Sequence, residues 1–459
     1  MRIAASFLWT GFLLWSYFSS GRSHASLQNE GQTELAGTQS QGVPDPDAGV
    51  YDPDPDHIWN RLFRLFYVRE SQNARLYGGD ELDPYLWSRT KYLLTGPSHE
   101  EALKLLDEFL RQHSENLIRD PVRRAFFQRD LLAVYESLRV PSDEKEANRS
   151  ELQTRIAEII RRLSLTPDAI AQLPVNYMDS IRAQVFPTRY DPSNPKDPFL
   201  PADLFDPNGP WVCLGEQRGR PVASDHLESF QGRSVFLVFF QVPGGRPKTL
   251  EYVGKLRNIP KNWGPNLDRP QLPDFSPVLV PYPEPPQFPI GTSVALVRRL
   301  VLIDDRGHPT STHLTESVQI RVYRAIHFDL GGTGAHSQDF SALTLSRRKL
   351  FLGELGGLRA IAQGDKEFTV FHSQEIDPFE MEVDPESWQG VVLRACSNCH
   401  EAAGIHSFLS YSRERFGPTD VPPPKLIAST PSRETAVQLQ WIERHSSLAL
   451  ANGMPNHIR

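Results

Sequence analysis

Val235-Phe236-Leu237-Val238-Phe239-Phe240 is an unbroken apolar run rich in valine and phenylalanine. A strand carries such a run when both sides of its pleat meet apolar neighbours. Working downstream, Ser293 to Ile303 predicts a second strand, ended by the turn-forming Asp304-Asp305-Arg306-Gly307. Val318, Ile320 and Val322 alternate with Gln319, Arg321 and Tyr323, the pattern of a half-exposed strand. Phe340 to Leu345 and Phe368 to Phe371 predict two more. Before these runs, Pro187, Pro192, Pro195, Pro198 and Pro201 break helices at short intervals. The region 186–384 therefore reads as a β-rich domain, an antiparallel sandwich with long proline-rich loops.

Upstream, residues 55–185 read as a helical domain. Ser98 with Glu101 forms a capping box before Ala102, Leu105, Leu106 and Phe109. Asp120-Pro121 opens a second helix, with Val122, Phe126, Leu131, Val134 and Leu138 at helical spacing. Leu152, Ile156, Ile159, Ile160 and Leu163 mark a third. Such stripes predict core, since an amphipathic helix must bury its apolar face. The fold class that follows is multidomain α+β: a helical domain, a β-rich domain and a small α-helical segment at 385–459.

The N-terminus has the pattern of a signal peptide at 1–25. Arg2 supplies charge, Ile3 to Phe18 is mostly apolar, and Ser23-His24-Ala25 offers small residues for cleavage. Residues 26–54 are polar and rich in Gln, Gly, Asp and Pro, as a disordered linker would be. The expectation is an exported protein, periplasmic or in the bacterial cell envelope, with no stable membrane span after cleavage. A net charge of -7 without a long Lys/Arg block argues against a nucleic-acid partner.

The three cysteines are Cys213, Cys396 and Cys399. Cys213 reads as a small buried hydrophobe. The other two stand in Cys396-Ser397-Asn398-Cys399-His400, the C-x-x-C-H pattern of c-type haem attachment. Two thiols at this spacing can bond the vinyl groups on one side of a porphyrin, and the adjacent imidazole then falls beneath the iron. Two other readings of the pair stand beside this one. A redox dithiol needs a βαβ setting that the following residues do not suggest, and a structural disulfide needs only the two thiols.

The segment 385–459 resembles a small cytochrome c. The resemblance implies one covalent haem c held by Cys396 and Cys399, with His400 as proximal iron ligand. Gly417-Pro418 would orient that imidazole, and Met454, in Gly453-Met454-Pro455-Asn456, would be the distal ligand. The segment departs from the family in placing its amphipathic helix before the methionine. Thr430 caps that helix, Pro431 opens it, and Val437, Trp441 and Leu448 form its apolar face. His445 on the same stripe is the main alternative distal ligand. His457, His406 and an open or water-bound iron are the others. The implied function is one-electron transfer with a redox partner protein, a carrier rather than a catalyst. A haem enzyme or gas sensor with an open sixth position is one alternative, and an exported binding or scaffold protein with a Cys396–Cys399 disulfide is another. His327, Asp329, His336 and Asp339, around the glycines at 331–334, read as a polar surface loop.

Overall fold

A computed structural model describes residues 50–86, 90–138, 145–258, 262–265, 278–282, 285–326, 338–354, 356–361, 369–371, 377–381, 389–391, 400, 403–407, 415–416 and 424–445. The leader and most of the linker expected at 26–54 lie outside these residues. The end of that linker does not behave as one. Tyr51 is only 1% exposed. Its amide and that of Val50 donate to Asn60 Oδ1, and its hydroxyl donates to the Asp130 carboxylate. An aromatic ring with a hydroxyl that finds a buried acceptor belongs in a core, whatever the polarity of its neighbours.

The protein is mixed α/β. Four helices come first: α1 (Ile58–Tyr67), α2 (Gly96–Gln112), α3 (Pro121–Ser137) and α4 (Glu146–Leu163). Asp120 caps α3 as its sequence predicts, its Oδ1 accepting from Arg123 N at 2.9 Å. Helix α2 begins earlier than the Ser98–Glu101 capping box implies. Gly96 takes φ +70°, and Ser98 Oγ accepts from Leu93 N at 3.1 Å instead of capping the helix. In α4, Leu152, Ile156, Ile159, Ile160 and Leu163 are all buried.

Seven strands then form one antiparallel sheet: β1 (Val212–Glu216), β2 (Ser234–Gln241), β3 (Ser293–Ile303), β4 (Pro309–Tyr323), β5 (Gln338–Leu345), β6 (Leu358–Ala360) and β7 (Leu426–Ser429). Their order across the sheet is β6-β5-β4-β3-β2-β1-β7. Strand β2 lies near the centre and is buried from Ser234 to Phe240, as its continuous apolar run requires. Helices α5 (Ser224–Ser229), α6 (Arg246–Arg257) and α7 (Pro431–His445) join the sheet from within and after it.

The region expected as a sandwich at 186–384 contributes instead to a seven-stranded sheet on which helices pack, and to a separate three-stranded sheet of Asn262–Pro265, Val278–Tyr282 and Arg415–Phe416. The reason lies in β2 and β3. Both are largely apolar on both faces, and helices from either side of them in the chain supply cover, α3 against β3 and α5, α6 and α7 against β2. Packing also runs across the boundaries expected at 185 and 384. Gln128 of α3 donates to Ile303 O at 2.9 Å, and β7 pairs with β1 from Leu426 to Ser429. Val43–Arg459 forms one compact unit.

Helix α7 shows the reach of this packing. Thr430 Oγ1 accepts from Arg433 N at 3.3 Å, so the cap is as predicted. Its fully buried residues are Glu434, Gln438 and Ile442, while Val437 and Trp441 of the expected face are half-buried and Leu448 lies outside the described residues. Strand β1 pairs with β2 only at Val212 and Cys213. At Phe236 the missing ladder is completed by Gln438, which accepts from Phe236 N at 2.7 Å and donates to Phe236 O at 2.6 Å. A side-chain amide can mimic a neighbouring strand in this way, and that selects glutamine over an apolar residue.

Candidate functional site

The register of β2, β3, β4 and β5 decides which side chains share a face. Val238 pairs with Leu296, Leu296 with Gln319, Phe240 with Val294, and Val294 with Arg321. Because side chains alternate along a strand, Val238, Val294, Leu296, Gln319, Arg321 and Tyr323 fall on one face. These six form the floor of a cavity of about 190 Å³. The polar half of β4, which in sequence reads as solvent-facing, is thus turned towards an internal space.

Two histidines stand in the walls. His226 comes from α5, a short helix anchored by the fully buried Leu227. Its ring packs on Phe236 with centroids 5.3 Å apart. His400 comes from the chain just ahead of a 3-10 turn at Gly404–Ser407. The two imidazoles lie nearly parallel, 7° between planes, with centroids 6.3 Å apart.

His400 is held at two points. Its carbonyl accepts from Gln338 Nε2 of β5 at 2.8 Å. Its Nδ1 is 2.5 Å from the Ser407 carbonyl oxygen. A carbonyl can only accept, so Nδ1 carries the proton and Nε2 keeps its lone pair. The turn that provides this carbonyl is itself fixed. Gln287 Oε1 accepts from Ile405 N at 2.7 Å, and the Tyr323 hydroxyl meets Ser407 Oγ. Gly404 has φ +56°, and a Cβ there would run into the Gln287 side chain, so glycine is required.

Electrostatics keep both rings neutral. Burial, then Arg321 and His226, lower the His400 imidazole to about 4, against the Ser407 hydrogen bond that raises it. Burial also lowers His226, with Arg298 and Arg321 opposing the pull of Asp225. The site therefore presents neutral, lone-pair-bearing imidazole in a largely apolar enclosure.

A second cavity of about 460 Å³ shares His226, Ser229, Leu296 and Gln319 with the first. Together the two lie within the roughly 300–1,000 Å³ typical of cofactor sites. Arg233, Arg298 and Arg359 line the second. Arg233 Nε and Arg298 Nη2 are buried and have no hydrogen-bond partner among the described residues.

Of the candidate haem ligands that fall among the described residues, His400 lines these cavities and His406 and His445 do not. Cys396, Cys399, Met454, His457 and the Gly417-Pro418 pair lie outside the described residues. His445 is at the exposed end of α7, its Nδ1 2.9 Å from Trp441 O of its own helix. His406 is buried within the 3-10 turn. Cys213 is buried on β1, where burial pushes its thiol up. His226, Gln319, Arg321 and Tyr323 are residues that sequence reasoning missed. Alternation had grouped the last three, but nothing in the sequence said what lay opposite them.

No group of three or more His, Cys, Asp or Glu able to hold a bare metal ion occurs among the described residues, and no described helix is long and apolar enough to cross a membrane. No protein-family model matches the chain, and neither curated proteins nor solved structures give a significant match.

Proposed function

We propose that this chain is an exported monohaem c-type cytochrome, with haem bonded to Cys396 and Cys399 and His400 as an axial ligand. The observation that carries the reading is the state of His400. Its Nδ1 proton is committed to a backbone carbonyl, its Nε2 lone pair is available, and its ring stands in the wall of a cavity. That pairing of a carbonyl with the far ring nitrogen is how metal-binding histidines are oriented and made more basic.

The donor set suits a haem better than a bare ion. A porphyrin brings four nitrogen ligands of its own, so the protein need supply only one or two more. Val238, Val294 and Leu296 give part of the floor an apolar surface of the kind that meets a porphyrin face. When bound, haem supplies one-electron redox chemistry. The chain's part is to fix the ligand ring, keep it neutral and limit solvent, which together tune the potential. The partner is a redox protein outside the cytoplasm.

Haem staining after denaturing electrophoresis tests this, with the protein made from its full sequence in a host that attaches haem c. Stain should remain with the chain, and its mass should correspond to a start near Ser26 plus one haem. The Cys396→Ala/Cys399→Ala variant should lose the stain. Stain retained by that variant, or absent from the parent, would overturn the assignment.

A further inference from the structure

We propose that His226 is the second axial ligand, so that the iron is held by two histidines from distant parts of the chain. The proposal rests on the haem reading above and extends it to the opposite side of the ring. Its foundation is the placement of His226 and His400, which line one cavity with planes 7° apart and centroids 6.3 Å apart. Two imidazoles bound on opposite sides of one metal ion, at about 2.0–2.1 Å from each nitrogen, have centroids roughly 6–6.5 Å apart. The pair thus already stands at the separation that shared coordination demands.

The surroundings of His226 agree. Neither of its ring nitrogens is hydrogen-bonded among the described residues, so coordination would break no existing bond. The ring is oriented by Phe236 on one side, and its helix is pinned by Leu227. His445, in contrast, is exposed and bonded to its own helix.

Two consequences separate this site from one completed by methionine. A methionine ligand raises the reduction potential, so a two-histidine iron sits lower. Both axial positions are also filled, which disfavours small-gas binding and suits electron transfer.

The test compares the parent with His226→Ala, His226→Met and Met454→Ala, each as the full haem-loaded chain. The parent should be low-spin and fail to bind carbon monoxide when reduced. His226→Ala should keep its covalent haem stain, turn high-spin and bind carbon monoxide, and added imidazole should restore the low-spin spectrum. His226→Met should stay six-coordinate with a raised potential, and it covers the case where His226→Ala does not fold. Met454→Ala should match the parent. If His226→Ala and His226→Met both keep the parent's spectrum and potential, His226 is not the ligand. If Met454→Ala opens the iron instead, the methionine is. A parent without stain would overturn the haem reading itself, and this proposal with it.

Discussion

Along β2, Ser234, Phe236, Val238 and Phe240 lie on one face of the sheet, and the two ends of that row bury ionisable groups in opposite ways. At the Ser234 end, charge meets charge. Arg129 of α3 donates to Glu316 at 2.8 Å and to Asp83 at 2.9 Å. Arg298 reaches both of the same carboxylates, at 3.0 and 3.3 Å, and Arg233 adds a third contact to Asp83. At the Val238 end stand His226 and His400, both neutral and with no carboxylate paired to either ring among the described residues. A buried charge that is matched costs little beyond its desolvation and fixes how helix and sheet meet. Half-buried bases that face open volume add nothing comparable to that meeting. The first end reads as structure and the second as a site kept for something that arrives later.

Removing charge from the first end should therefore do the most damage. Arg129 is completely buried. Arg129→Met leaves Glu316 and Asp83 short of a partner and should cost about 3–5 kcal/mol, the range for breaking a buried pair from one side. The measurement is the urea midpoint of unfolding. The same variant has a pH signature. Burial would raise Asp83 and Glu316, but the surrounding arginines outweigh it and hold both below the usual carboxylate range. A depressed folded pKa contributes stability that is present above the unfolded value and lost as pH falls through the folded one. The parent should weaken below about pH 4, and Arg129→Met should show a flatter acid limb. A variant with the parent's stability would remove the distinction between the two ends.

Arg347 gives a graded version of the same test. It is fully buried, donates to Asp130 Oδ1 at 2.8 Å, and lies over the rings of Phe63 and Tyr67. Asp130, unlike Asp83, is raised above its ordinary value, chiefly by burial, with Arg347 and Arg129 pulling against it. It can thus take up a proton when its partner is lost, while its carboxyl keeps the Tyr51 hydroxyl and its backbone carbonyl keeps that of Tyr67. Arg347→Met should cost about 2–3 kcal/mol, less than the Arg129 change. A raised folded pKa contributes stability below the unfolded value that is lost as pH rises, so this deficit should widen from acid to neutral pH. Denaturation at both ends of that range checks it.

Much of this architecture was legible in the sequence, and the gaps have a common cause. Local patterns found the strands at 234–241 and 293–303 and the caps at Asp120 and Thr430, because propensity and capping act over a few residues. What covers the sheet was not legible, since that depends on pairs such as Arg129 with Glu316, far apart in the chain. The face of α7 was misjudged for a related reason. Gln438 is buried to complete a strand ladder at Phe236, and polarity alone marks such a residue as exposed. His400 was singled out because its motif is contiguous. His226 was one of fourteen histidines with no local mark, and only the packing of α5 on β2 gives it a neighbour.

The smallest effect should come from the cavity end. The Tyr323 hydroxyl meets Ser407 Oγ, and burial raises the Tyr323 phenol. Tyr323→Phe keeps the ring, which packs on Phe288 with centroids 4.8 Å apart, and removes one hydrogen bond. Its expected cost is about 1 kcal/mol, the net worth of such a bond. The Ser407 carbonyl, not its hydroxyl, accepts from His400, so the imidazole should hold its orientation and the visible spectrum of haem-loaded protein should not change. Ser407→Ala removes the same bond from its other side but leaves a buried phenol unpaired, and it should cost slightly more. Because both single changes delete one shared interaction, the double variant should lose less than their sum. Urea midpoints of the three variants measure this. A loss at Tyr323 as large as that at Arg129 would mean that the cavity end supports the fold as much as the charged end does. The contrast drawn between them would then fail, and with it the reason for assigning the histidine end to function rather than to folding.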